Sequence, residues 1–203
     1  QLFHLAGSAP PRPGTIDGVV RAATQRLMDR LTDLPALVLD AKGDVLAWNA
    51  LATALLGDFS AWPPRTRNIL WQRFLGDGGR VSKPGGPADT PGEADRTALQ
   101  GVADLRAVVA KYPDDPGARR LLAELRAGSP QFARLWESGE VGERRADTKT
   151  VDHPELGPIT LDCDVLLIPG ADQRLVVYSA AAGTPAAEAL TVLRVVGIQQ
   201  LTP

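Results

Sequence analysis

Apolar residues along the chain follow two different spacings. Up to about residue 140 many recur every three or four positions, which predicts amphipathic helices; in residues 144–179 they recur at every second position, which predicts strands. Two short apolar runs, Ala36–Leu39 and Val45–Trp48, interrupt the helical part. A polar turn that contains Gly43 separates the two runs, so together they predict a β-hairpin.

The helical segments are bounded by residues that commonly begin or end helices. Asn49 opens one of them, and Ser129 and Pro130 supply an N-cap and a first helical position for another. The segment 76–92 is rich in glycine and proline, which predicts a loop. Helices are predicted over residues 19–31, 49–56, 64–75 and 93–112, around 121–125, from 129 onwards, and over 185–196. The first helix is expected to bury one stripe, formed by Val19, Val20, Ala23, Leu27 and Leu31.

The last part of the chain predicts three strands joined by tight turns. Residues 175–179 form one strand, and the polar segment before His153 forms another. In the longest strand Asp162 and Asp164 should point away from the core, because they alternate with apolar residues. The apolar residues of that strand, expected to share one buried face, are Ile159, Leu161, Cys163, Val165 and Leu167.

The order of elements along the chain defines the expected fold class. It runs helix, two strands, several helices, three strands, helix. Short hairpins make neighbouring strands antiparallel, and helices must cover the faces of the sheet. We therefore expect an α+β fold with a PAS-like, five-stranded antiparallel sheet: two N-terminal strands, a helical middle, three C-terminal strands and flanking terminal helices.

Composition and charge exclude several kinds of partner. The formal net charge is −2, so the chain has no basic surplus with which to neutralise the phosphates of DNA on its own. Cys163 is the single cysteine, so no disulfide can form within the chain and a cytoplasmic location is expected. No apolar run approaches the roughly 18 residues that a membrane span requires, so no membrane partner is expected.

The residues that carry common enzyme chemistry are missing from the sequence. There is no nucleophile elbow, P-loop or dinucleotide-binding fingerprint, and we expect neither an enzyme nor any catalytic residue. His4, His153 and Cys163 are too few to hold a transition metal, so no metal or other cofactor is expected. A haem held through His153 alone has no other support.

A series of short motifs resembles one family of bacterial regulators. The motifs are Leu34–Asp40, Asp44–Asn49, Leu55–Phe59, Arg67–Leu70, Phe74, Ala103–Arg106, Pro113–Pro116, Leu121–Leu125, Ser129–Phe132, Leu135–Trp136, Val141, Lys149, His153–Gly157, Leu161–Asp162 and Gln173–Tyr178. They occur in the order found in the MmyB-like ligand-binding domain, which follows an Xre-type helix-turn-helix domain, and they cover the chain from about residue 15 to 190.

This resemblance implies a function and a domain organisation. It implies a PAS-like sensor that binds a small hydrophobic molecule, with a fatty acid as the best-supported type, and that acts as a homodimer. DNA would be contacted only through a helix-turn-helix domain that this chain lacks. Residues 1–14 would be the junction and linker to that domain, and residues 15–203 the ligand-binding domain. The chain departs from the family in the segment 76–92, which has no aromatic residue.

Candidate ligand contacts come from apolar and charged positions of the matching segments. The ten candidates are Trp48, Phe74, Leu105, Phe132, Leu135, Trp136, Leu161, Tyr178, Arg67 and His153. Each has a plainer interpretation: the aromatic residues as ordinary core, His153 as a hydrogen-bonded structural residue, and Arg67 as a surface charge. Arg144, Arg145 and Lys149 are further candidates to neutralise a ligand carboxylate.

Three functions remain open at this point. The leading one is a sensor whose ligand biases the attached DNA-binding domains by population shift, with the helix 19–31 as the coupling element. The second is a ligand-free dimerisation module with a filled core, which a cavity in the structure would argue against. The third is an enzyme, for example a cofactor-bound PAS variant, which would give a coloured protein or clustered polar groups in its pocket.

Overall fold

A five-stranded antiparallel sheet forms the centre of the protein. The computed structural model describes residues 14–76, 79–81, 93–140 and 147–200, and residues 1–13 of the predicted junction and linker lie outside them. The strand order is β2-β1-β5-β4-β3, which places the N-terminal hairpin beside the last strand. This is the PAS-like arrangement, so the predicted fold class is confirmed. The strands are β1 (Ala36–Leu39), β2 (Val45–Trp48), β3 (Asp147–His153), β4 (Gly157–Ile168) and β5 (Gln173–Ser179).

Seven α-helices surround the sheet in the described part of the chain. They are α1 (Ala22–Arg30), α2 (Ala50–Leu56), α3 (Ile69–Phe74), α4 (Glu93–Lys111), α5 (Pro116–Gly128), α6 (Pro130–Ser138) and α7 (Pro185–Gln200), with a short 3₁₀ turn at Phe59–Ala61. The expected caps are confirmed at α2 and α6: Asn49 accepts from the Ala52 amide, and the Ser129 hydroxyl accepts from the Phe132 amide.

Asn49 also fastens three separate segments together. Its Oδ1 accepts from the amides of Ala36 (3.1 Å) and Ala52 (2.9 Å), so one atom serves both a strand and a helix. Its Nδ2 donates to the carbonyls of Leu31 and Leu34, each at 2.8 Å. The side chain therefore fixes where the chain leaves α1, enters β1 and begins α2.

Replacing Asn49 with alanine should lower the free energy of unfolding by about 2–4 kcal/mol, since four hydrogen bonds are lost and partly buried backbone groups are left without partners. Chemical denaturation measures the change. The control is Ser60→Ala, because that hydroxyl reaches only the exposed Asp58 and its loss should cost less than about 0.5 kcal/mol. Equal stabilities of the two variants would contradict this role.

Apolar residues divide into three clusters. The front face of the sheet packs with α2 and α7, and the back face packs with Met28 of α1. The third cluster lies among α3, α4, α5 and α6, away from the sheet. The front face is the one that matters for a site, because strand alternation turns Leu37, Leu39, Val176 and Tyr178 toward the helices.

The predicted stripe of the first helix is confirmed only for Val20 and Leu31, which pack against the back-face cluster. Helix α1 begins only at Ala22, so Val19 precedes it, and both Val19 and Leu27 are more than half exposed. Met28 is the buried residue of α1, and it meets the back face of the sheet. The helix is short and touches the sheet through few side chains, so a helical spacing of apolar residues did not identify the buried ones.

The predicted start of the third helix, at residue 64, is also wrong. The helix begins at Ile69, because the preceding residues bond to the β1–β2 hairpin instead of to a helical turn. Val45 donates its amide to the Arg67 carbonyl, and Ile69 donates its amide to the Gly43 carbonyl, both at 3.0 Å. Asn68 then caps α3 through its side-chain oxygen.

Strand β4 is buried over only half of its predicted face. Asp162 and Asp164 are exposed as expected, and Ile159 and Leu161 are buried. Val165 and Leu167, however, are 41% and 69% exposed. The front-face cluster reaches only as far as Cys163; beyond it, Val165 borders a cavity and Leu167 an open cleft beside α4.

Candidate ligand-binding cavity

A cavity of about 220 Å³ lies between the front face of the sheet and helices α3 and α4. Its floor consists of side chains from three adjacent strands, because alternate residues of β1, β4 and β5 share one face. The floor is mostly apolar. The residues that form it are Leu37, Leu39, Cys163, Val165, Val176 and Tyr178.

Helix α4 provides one wall through a single face. The lining residues Thr97, Gln100, Gly101 and Asp104 are spaced by three or four positions, so they share that face. Gly101 lets α3 approach closely, since a Cβ at this position would lie 2.5 Å from a terminal carbon of Leu70. Apolar residues from α2 to α3 complete the wall: Leu56, Phe59, Trp62, Ile69 and Leu70.

One side of the cavity is polar and organised around Asp104. Its Oδ1 accepts from Nε2 of Gln100, and its Oδ2 accepts from Nη1 of Arg174, both at 2.9 Å. Lys149 on β3 donates to the Thr97 hydroxyl at 3.0 Å. Among the described lining residues the cations outnumber the single anion Asp104, which favours an anionic ligand group. These cations are Arg73, Arg80, Lys149 and Arg174.

Arg80 links the cavity wall to helix α2. Its Nη1 donates to the carbonyls of Ala54 (3.2 Å) and Leu55 (3.1 Å) near the C-terminus of that helix. Burial lowers the pKa of the Arg80 guanidinium, with nearby Glu155 acting in the opposite direction. An arginine nevertheless keeps its charge at neutral pH, so the wall is positive at this point.

Tyr178 and Cys163 face each other across β5 and β4 on the cavity floor. Burial raises the pKa of the Tyr178 hydroxyl well above its usual value, and the neighbouring thiol of Cys163 adds to the rise. The phenol is therefore neutral at physiological pH. It can serve a ligand only as a neutral hydrogen-bonding group or as apolar surface.

Of the ten residues expected to contact a ligand, the structure places Tyr178 on the cavity lining. Leu161 lies within the front-face core. Five candidates belong to the helical cluster away from the sheet: Phe74, Leu105, Phe132, Leu135 and Trp136. Ligand contact by these seven residues stays a prediction that binding experiments must test.

The other three candidates make structural contacts. Trp48 packs edge-on against Phe59 with ring centroids 5.4 Å apart, and the Arg67 guanidinium lies over the Trp48 ring. Arg67 also donates to the Trp62 carbonyl at 3.1 Å. Nδ1 of His153 accepts from the Glu155 amide, so Nε2 is the donor to the Ala54 carbonyl.

The polar residues of the cavity were missed by sequence reasoning, apart from Lys149. The signal for Gln100 and Asp104 was their helical spacing on the predicted helix 93–112. The signal for Arg174 was its alternation with Val176 and Tyr178 on a predicted strand. Arg144 and Arg145 lie outside the described residues, so their place relative to the cavity stays open.

The described residues offer neither a metal-binding cluster nor a membrane-spanning helix. They contain no group of three or more histidine, cysteine, aspartate or glutamate residues that could hold a metal ion. Within the same residues, no helix has the length and apolar character needed to cross a membrane.

Comparison with known proteins identifies a family. The family model described as the MmyB-like transcription regulator ligand binding domain matches residues 20–193, which is most of the chain. A comparison with curated proteins gives no match. The family match covers all five strands and both walls of the cavity. The chain belongs to the MmyB-like family of transcription regulator ligand-binding domains.

Proposed function

We propose that this domain is the sensor of a one-component regulator and that it binds an amphipathic anion, with a fatty acid as the leading candidate, in the cavity beside α4. The observation that carries the proposal is the pairing of an apolar floor with a predominantly cationic polar side. Each buried methylene would contribute about 0.8 kcal/mol before the costs of association, and the cations would attract the carboxylate.

The cavity also bears on the alternative of a ligand-free dimerisation module. Such a module would have a filled core, whereas here polar side chains border a space of about 220 Å³. We therefore favour a sensor. As the family resemblance implies, we propose that it acts as a homodimer and reaches DNA through an N-terminal helix-turn-helix domain.

The segment before α1 is the proposed route from the cavity to that domain. Gln173 at the start of β5 donates through Nε2 to the carbonyls of Asp17 (3.1 Å) and Val19 (2.9 Å). Arg21 donates to the carbonyls of Pro169 (3.1 Å) and Gly170 (2.8 Å) in the β4–β5 turn. These contacts fasten the segment to the sheet.

Gln173 is connected to the cavity through its neighbour in the chain. Gln173 is followed by Arg174, which lines the cavity and pairs with Asp104 of α4. A ligand that binds one arrangement of this ion pair better than another would shift the start of β5, and with it the attachment of residues 17–19. The predicted coupling through α1 is thus extended to the segment that precedes it.

Hydrogen exchange tests this route. Addition of dodecanoate should change the exchange rate of amides in residues 15–21 by about fivefold or more, since local opening depends on the Gln173 contacts. Gln173→Leu should speed their exchange without ligand and abolish the response to dodecanoate. Gln25→Leu, whose amide donates only to Asp29 of the same helix, should behave like the unmodified protein. Dodecanoate binding without any change in residues 15–21 would refute this route.

A further inference from the structure

Oε1 of Gln100 and Nε of Arg174 are buried polar atoms on the cavity lining that lack hydrogen-bond partners among the described residues. The orientation of the Gln100 amide is set by its other half, since Nε2 donates to Asp104 at 2.9 Å. Reversing the amide would place its oxygen against a carboxylate oxygen, which is unfavourable. Oε1 is therefore an acceptor that needs a donor.

Arg174, in contrast, has a donor without an acceptor. Its Nη1 donates to Asp104 at 2.9 Å and its Nη2 to the Ala41 carbonyl at 3.2 Å, while its Nε–H has no acceptor among the described residues. Both Gln100 and Arg174 donate to the Asp104 carboxylate. The free acceptor Oε1 of Gln100 and the free donor Nε–H of Arg174 therefore belong to one network. A buried group without its hydrogen bond is costly, so a ligand that supplies both bonds gains affinity.

A simple carboxylate cannot supply both bonds. It has acceptors only, so it cannot donate a hydrogen bond to Oε1 of Gln100. Beside Asp104 it would also be repelled by a like charge. A hydroxyl group is both donor and acceptor, and it is neutral. The polar network around Asp104 thus fits a ligand hydroxyl better than a ligand carboxylate.

A ligand carboxylate could bind separately, beside Lys149. The Lys149 ammonium group lies 3.0 Å from the Thr97 hydroxyl, and Thr97 and Gln100 are three residues apart on α4. Three residues correspond to about 4.5 Å along a helix axis. That separation suits a hydroxyl carried two carbons from a carboxylate, as in a 3-hydroxy acid.

We propose that the cavity selects 3-hydroxylated acyl chains over plain fatty acids, with Gln100 and Arg174 binding the hydroxyl and Lys149 attracting the carboxylate. This inference rests on the proposed function, because it concerns the same cavity. Gln100 is the specificity-determining residue, since it alone of the three requires a donor from the ligand.

Calorimetric titration with decanoate and 3-hydroxydecanoate tests the proposal on the purified chain. The hydroxylated acid should bind at least about fivefold more tightly, as expected when a buried acceptor gains its donor. Gln100→Leu should abolish this preference while decanoate still binds. Gln100→Met serves as a second variant if the leucine variant unfolds early, and Gln25→Leu should keep the preference.

The outcomes separate this proposal from the one on which it rests. Equal affinities of the two acids would overturn the hydroxyl preference and leave the fatty-acid sensor standing. A preference that persists in both Gln100 variants would also overturn it, because the hydroxyl would then be recognised elsewhere. If neither acid binds, the proposed acyl ligand class fails, and the hydroxyl preference fails with it.

Discussion

Replacing Phe132 with alanine is expected to lower the free energy of unfolding by about 3–5 kcal/mol, the usual cost of removing a large buried ring. Phe132 is fully buried in the cluster formed by α3 to α6. Its ring meets Phe74 edge-on at 5.1 Å between centroids and stacks with Trp136 at 5.8 Å. The change would leave a cavity inside this helical cluster.

Chemical denaturation measures the effect, with the exposed Arg134→Ala on the same helix as the control. The Phe132→Ala variant also tests whether Phe132 contacts the ligand, as the sequence predicts. Because the ring lies in the helical cluster and not on the cavity lining, we expect ligand affinity to stay within about threefold once the protein is folded. A loss of affinity above tenfold would place Phe132 in the site.

Replacing Val165 with tryptophan should abolish ligand binding with little change in stability. Val165 lines the cavity and is 41% exposed, so a large ring can be accommodated at the strand while it takes up space that a ligand would need. Tryptophan is also favourable in strands. We expect affinity for acyl ligands to fall by at least about a hundredfold, which corresponds to roughly 3 kcal/mol.

The neighbouring residue supplies a matched control. Leu166 follows on the same strand, is half exposed, and points to the opposite face, where it does not line the cavity. Leu166→Trp adds a similar ring and should leave ligand affinity unchanged. If both variants bind as the unmodified protein does, the ligand does not occupy this cavity.

The fold could be predicted from the sequence because its local signals agree with its long-range pairing. The hairpin of β1 and β2 follows from two apolar runs around a polar turn, and β4 follows from strict alternation. Alternation gives the face on which a side chain lies but not whether anything covers it. For that reason Val165 and Leu167 were expected in the core, although one borders the cavity and the other an open cleft.

The cavity could be predicted much less well than the fold. Phe132 and Trp136 form the same apolar stripe whether they surround a ligand or one another, so spacing cannot separate a pocket from a filled core. The polar network depends on contacts between distant segments: Asp104 and Arg174 are 70 residues apart in the chain. Only the folded arrangement brings them to one wall.

Mass spectrometry of small molecules extracted from the denatured protein tests the central claim most directly. The unmodified protein should release a stoichiometric acyl acid, with a 3-hydroxylated acid favoured where the expression host supplies one, and Val165→Trp should release none. An empty extract from the unmodified protein, together with no thermal stabilisation by plain or hydroxylated acids, would contradict the account. It would indicate a dimerisation module in place of a sensor.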